Sequence, residues 1–255
     1  MHPASRVKCR MVRMSGRTGR IAAGLSPLFL VAAIGAGSGG AGATGGHTIR
    51  PDALIYFFDQ IALRQQEPPP GVRPKWVRRW NGPVAVTLSG EIPAGFGARL
   101  DRSLADISRW TGQRFARAAG AAKAPRRKRI SIRIVPHAAM LQRYGPGGHV
   151  CTAATFGWNG RLHTARIEIS DRYTDCLDHE LMHALGFDGH WLASNRDNAI
   201  RSVLARRDTP ARRLRFTRFD TIAIRTLYHQ TLAPGMAREN ALAQARRILK
   251  SPPRL

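Results

Sequence analysis

The stretch Cys176-Leu-Asp-His179-Glu180-Leu-Met-His183-Ala-Leu-Gly186-Phe-Asp-Gly-His190 decides how the rest of the chain is read. Four residues advance an α-helix by about 400° and 6 Å, so His179 and His183 project from one face, one above the other. Two imidazoles at that spacing can hold a single tetrahedral zinc ion at about 2 Å each. Glu180 lies about 100° round the same helix, beside the metal, where a carboxylate can take a proton from an activated water. Gly186 suits the left-handed turn that ends a helix and lets the chain double back. His190 is then the expected third ligand, with Asp188 as its competitor. Three protein ligands would leave a fourth position for water, which separates a catalytic zinc from a structural one. Leu181 and Leu185, on another face, would anchor the helix in the core. The composition gives about 0.006 chance occurrences of His-Glu-x-x-His, so the motif outweighs a reading as solvent-facing histidines. His137, His149 and His163 read as ordinary surface or core histidines.

Outward from this helix, the pattern is mixed. Residues 51–65 (PDALIYFFDQIALRQ) carry apolar positions at helical spacing with proline in the first turn. Residues 66–74, with three consecutive prolines, read as a stiff linker or turn. Residues 84–88 alternate between Gly82-Pro83 and Gly90, a strand signal, and residues 130–135 alternate strictly. Residues 96–110 read as a helix with Leu100, Leu104, Ile107 and Trp110 on one side, stopped by Thr111-Gly112. Residues 152–158 and 162–170 are expected to be strands joined through Asn159-Gly160, a hairpin signal. Helices are expected over residues 173–185, 219–228 and 236–249. Strand, helix, strands and then helices predict an α+β fold.

The ends and the charge set the compartment. Six basic residues (Arg6, Lys8, Arg10, Arg13, Arg17, Arg20), an apolar run over residues 21–36 and a small-residue tail have the three-part build of a secretory signal. Cleavage is expected after Ala43, against the alternative of an uncleaved anchor helix. The expected organisation is therefore a signal peptide over 1–43, an N-terminal helix and Pro-rich linker over 44–79, the main domain over 80–235, and a C-terminal helix and tail over 236–255. The N-terminal segment is expected to be a simple extension. After Cys9 is lost with the signal, Cys151 and Cys176 remain in a compartment where disulfides persist. They read as one bridge, worth about 3 kcal/mol, against the alternative of two buried free thiols.

Lys and Arg number 41 against 16 Asp and Glu, a net charge of +25, and the expected mature chain keeps about +19. Such a field favours anionic partners, such as acidic peptides or an anionic envelope surface. The basic clusters at 123–129 and 206–218 lack the interleaved aromatics of a base-stacking platform, so nucleic acid is not the expected partner. No apolar run reaches the roughly 18–20 residues of a confident span, so the mature chain is expected to have no transmembrane segment.

At this point the residues resemble a family. His179-Glu180-x-x-His183-x-x-Gly186 followed by His190 is similar to the zinc-binding helix of metzincin-type metallopeptidases. The usual third His stands six residues after the second; here Gly189 occupies that place and His190 comes one later. The resemblance continues in Ser202-Val203-Leu204, with Leu204 in place of the methionine of a Met-containing turn, and in Phe216-Thr-x-x-Asp220-x-x-x-Ile224-Arg-x-Leu227-Tyr228. Leucine has a similar volume to methionine and the position is one of packing, not ligation. The chain over about 50–245 also resembles a bacterial family of exported proteins of unknown function. That likeness rests on Trp80-x-x-Pro83-Val84, Thr111-Gly112, Cys151, Leu185-Gly186, and Leu227-Tyr228 through Leu232-x-Pro234-Gly235-Met236. The resemblance implies a zincin-like fold: a twisted mixed sheet, a backing helix, an active-site helix and a smaller helical C-terminal lobe.

The first functional reading is an exported, periplasmic or secreted, zinc metallopeptidase. One Zn2+ per chain would be held by His179, His183 and His190, with Glu180 as general base. The strand over 162–170 is expected to pair with an extended protein or peptide substrate, by analogy of fold. The alternative is a non-catalytic zincin-fold module anchored to anionic envelope components. A third reading, a basic nucleic-acid protein or zinc phosphoesterase, is opposed by the scarcity of clustered carboxylates.

Overall fold

The computed structural model describes residues 50–63, 76–118, 128–146, 149–191, 200–205 and 215–250. The expected signal segment, the stretch 66–74 and most of both basic clusters lie outside these residues. Alternating apolar residues build a five-stranded mixed sheet from β1 (Val84–Ser89), β2 (Phe115–Arg117), β3 (Arg129–Val135), β4 (Cys151–Trp158) and β5 (Arg161–Ser170). The strand order is β2-β1-β3-β5-β4. The first four strands in that order are parallel, with Val86 opposite Ile130 and Ile132 opposite Ile167. β4 runs antiparallel to β5, Ala153 opposite Ile167. The two are joined at Asn159-Gly160, both at positive φ as a tight primed turn demands.

One sheet face is a continuous apolar layer: Val84, Val86, Ile130, Ile132, Ile134, Ala165, Ile167 and Ile169 are all buried. Residues at i+2 along each strand fall on the same side, which is why single alternation suffices to make the layer. The core gathers this layer with α2 (Phe96–Thr111) and α4 (Leu177–Ala184). On α2, Leu100, Leu104 and Ile107 are buried as their spacing predicts. Trp110 is only partly covered and meets Phe216 edge-on at 5.4 Å.

Three features depart from the sequence reading. Strand β2 is three residues long and α3 (His137–Tyr144) buries only Met140, so neither carries a periodic signal. Strand β5 is not an edge: it is paired to β3 on one side and β4 on the other. Among the described residues the edge on that side is β4, so the 162–170 strand has no free edge with which to pair as expected. Finally, packing runs across the boundaries expected at 79/80 and 235/236. Helix α1 (Pro51–Phe58) and the π-helical turn Asp59–Leu63 bury Phe57, Phe58, Ile61 and Leu63 in the main core, so the segment is more than a simple extension. α5 (Arg218–Leu227) packs on α2, and α6 (Arg238–Lys250) on α1 and α5.

Candidate metal centre

Helix α4 is pinned at both ends. At its start, Asp178 is fully buried; its Oδ1 accepts from Ser103 Oγ at 2.7 Å, and Arg99 Nη2 stands 3.6 Å from Oδ2. Burial pushes the Asp178 carboxyl up, while Ser103 and Arg99 draw it back. Immediately before the helix, Cys176 is bridged to Cys151 at the head of β4. At the far end the last carbonyls of a helix need partners from elsewhere. Trp80 Nε1 donates to Ala184 O at 2.8 Å, and Tyr228 Oη donates to Leu185 O at 3.0 Å. Both side chains are buried, and the Trp80 amide donates to Tyr228 Oη at 3.3 Å. The Trp80 and Leu227-Tyr228 motifs of the sequence therefore meet on one helix terminus.

Past that terminus Gly186 takes a φ of +113°, and a Cβ there would lie 2.1 Å from Arg78 O. Only glycine suits both conditions, and the chain turns back. The turn brings His190 over the helix. The Nε2 atoms of His179 and His183 are 3.2 Å apart, and each is 3.3 Å from Nε2 of His190. Nδ1 of His179 faces Val203 O at 2.7 Å and Nδ1 of His183 faces Phe187 O at 2.6 Å. A carbonyl can only accept, so both rings carry their proton on Nδ1 and leave a lone pair on Nε2. Lone pairs converging this closely repel unless a cation lies among them.

The spacing also fits a particular geometry. Three corners of a tetrahedron about 2.05 Å from its centre are about 3.3 Å apart, whereas neighbouring octahedral corners would be about 2.9 Å apart. The trio therefore has the donor type and separation of a tetrahedral site. His183 is buried and the other two are partly exposed, so the cluster is reached from solvent past His179 and His190. Burial, and secondarily His183, push His179 down to about 3, which keeps its ring neutral and able to ligate. Glu180, one step round the helix, is only 5 % exposed, and burial pushes it up to about 8.

The competing ligand Asp188 is held elsewhere. Its Oδ2 accepts from Arg78 Nη1 at 2.7 Å, and Arg78 Nη2 also donates to Thr155 Oγ1 at 2.8 Å on β4. Of the two candidates, His190 is the one that joins His179 and His183. Leu204 is fully buried in the turn at Ser202–Ala205. That turn hangs from Asp220, which accepts from Ser202 Oγ at 2.5 Å, Val203 N at 3.2 Å and Thr217 N at 2.8 Å. Asp220 also completes a capping box with Thr217 at the start of α5. The carboxylate that closes this box thus also carries the turn. His137 lies by Ser170, His149 by Tyr144 and His163 under Trp158, all apart from the trio. No family model matches the chain, and a search of curated proteins finds no match.

Proposed function

We propose that this chain is a zinc-dependent metallopeptidase acting outside the cytoplasm. The observation that carries the reading is the set of three Nε2 atoms 3.2–3.3 Å apart with Glu180 on the same helix as two of them. When bound, zinc supplies Lewis acidity, polarising the scissile carbonyl and acidifying the attacking water. His179, His183 and His190 hold the ion. Asp188 stays with Arg78, so the ligand set is neutral and the ion keeps its full acidifying charge.

Glu180 is the proton carrier. With a cation held nearby to keep it ionised, the Glu180 carboxylate can take the water's proton, and as the acid it can return that proton to the departing amine nitrogen. Among the described residues no strand pairs with the outer side of β4, which would offer backbone groups to an extended chain. The charge of about +19 that remains without residues 1–43 favours peptides rich in Asp and Glu and attracts the protein to anionic envelope surfaces. The Cys151–Cys176 bridge is compatible with export, and no helix among the described residues is long and apolar enough to cross a membrane.

The test is metal content and peptide hydrolysis measured together. The wild type should carry about one zinc per chain, His183→Ala should lose it, and Glu180→Ala should keep it while losing hydrolysis. Zinc in the wild type with hydrolysis unaffected by Glu180→Ala would leave a metal-binding module and remove the peptidase.

A further inference from the structure

His179 and His183 are fixed by their own helix, but His190 stands on a loop and needs an outside support. The residues on either side of it are held by the N-terminal segment. Gly189 N donates to Ile61 O at 2.9 Å, and a Cβ on Gly189 would come within 2.1 Å of Gln60 O, so the two backbones touch with no room for a side chain. On the other side, the buried Trp191 takes Tyr56 and Phe57 edge-on at 5.8 and 5.3 Å. Ile61 lies in the π-helical turn, and its carbonyl is the acceptor of the Gly189 amide.

The segment is itself latched. Asp59 is 4 % exposed and accepts from Arg238 Nε and Nη2 at 2.8 and 2.7 Å, a two-point ion pair between the π-turn and the first residue of α6. The residues 51–63 therefore contact the neighbours of the third ligand on both sides and are tied to α6.

We infer that the N-terminal helix is a positioning element of the metal centre: docking of residues 51–63 sets whether the site presents three nitrogen donors or two. This rests on the reading of His179, His183 and His190 as metal ligands. Linkage makes the effect reciprocal, so metal held through His190 must in turn hold the helix down.

The experiment is amide hydrogen exchange on the full-length protein, metal-free and with zinc or cobalt added. Metal should slow exchange across 53–63 by about tenfold or more in the wild type and leave it unchanged in His190→Ala. Equal exchange with and without metal in a wild type that binds it would overturn the inference while sparing the ligand assignment. A wild type that binds no metal would overturn both. A second arm uses Gly189→Ala and the milder Asp59→Asn, read by metal dissociation constant and by the visible spectrum of bound cobalt. Both should weaken binding by about 10- to 100-fold, Gly189→Ala the more, and shift the spectrum towards that of His190→Ala. Variants with the wild-type constant and spectrum would show that the helix supports the fold without governing the site.

Discussion

Val203 joins Asp220 to His179: its amide donates to Asp220 Oδ2 at 3.2 Å and its carbonyl faces His179 Nδ1 at 2.7 Å. A buried carboxylate on α5 thus holds, through the single residue Val203, the carbonyl that sets the tautomer of a candidate ligand on α4. Such outer partners raise ligand basicity and fix ring orientation. Asp220→Ala should therefore weaken metal binding by about 10- to 100-fold and destabilise the protein by about 3 kcal/mol, since the buried Ser202 Oγ and Val203 N and the partly buried Thr217 lose their acceptor. Metal titration and urea unfolding on the same preparation check both. Lost stability with unchanged metal affinity would confine Asp220 to the fold.

Glu180→Gln separates base from ligand. The amide keeps the volume of the carboxylate and cannot accept a proton, so zinc content should remain at about one per chain. Hydrolysis of any peptide the wild type cleaves should fall by at least about 100-fold, in kcat more than in KM. A fall in zinc content instead would make Glu180 a support of the ion itself.

The two imidazoles of α4 were legible because their relation is local: a helix converts a spacing of four into a shared face. The same holds for Asn159-Gly160 and for the buried stripe of α2, each written within a few residues. What the sequence concealed depends on distant pairs. Arg78 removes Asp188 from the ligand set across 110 positions, and Arg238 latches Asp59 across 179. Strand order is of the same kind. The hairpin β4–β5 was readable, but which of its strands faces outward is decided by the pairing of β5 with β3, through partners such as Ile132 and Ile167. The N-terminal segment reads as a simple extension because a proline-rich stretch follows it, whereas Phe57 packs edge-on against Trp191 and the Ile61 carbonyl accepts from Gly189 N.

Trp80 and Tyr228 should be separable from the chemistry. Each donates one hydrogen bond to a terminal carbonyl of α4, Ala184 O and Leu185 O. Tyr228→Phe removes a buried donor and should cost about 1–2 kcal/mol, and Trp80→Phe, which also opens space, about 2–4 kcal/mol. Thermal unfolding checks the cost. Because the ligand rings take their orientation from Val203 and Phe187, zinc stoichiometry should be preserved in both variants at 25 °C.

The metal-free protein should have a stability maximum set by its own empty charges. Burial raises Glu180 from 4.5 to about 8, so the fold keeps a proton that the unfolded chain releases. Its contribution is complete below about pH 4.5 and is lost as pH rises towards 8. His179 acts in the opposite sense: lowered from 6.5 to about 3, it stays neutral in the fold while the unfolded chain takes up a proton, so stability falls as pH drops from 6.5 towards 3. Each of these two groups contributes a slope of no more than about 1.4 kcal/mol per pH unit, and the two together place a maximum at about pH 5–6. Urea unfolding in the presence of a chelator from pH 4 to 9 measures the profile. Glu180→Gln should flatten the alkaline limb and leave the acid limb intact. Added zinc should flatten the alkaline limb of the wild type as well, because a cation beside Glu180 restores its charged form. A Glu180→Gln profile parallel to that of the wild type would mean that the carboxylate is already ionised in the fold, with a counter-charge at neutral pH other than the metal.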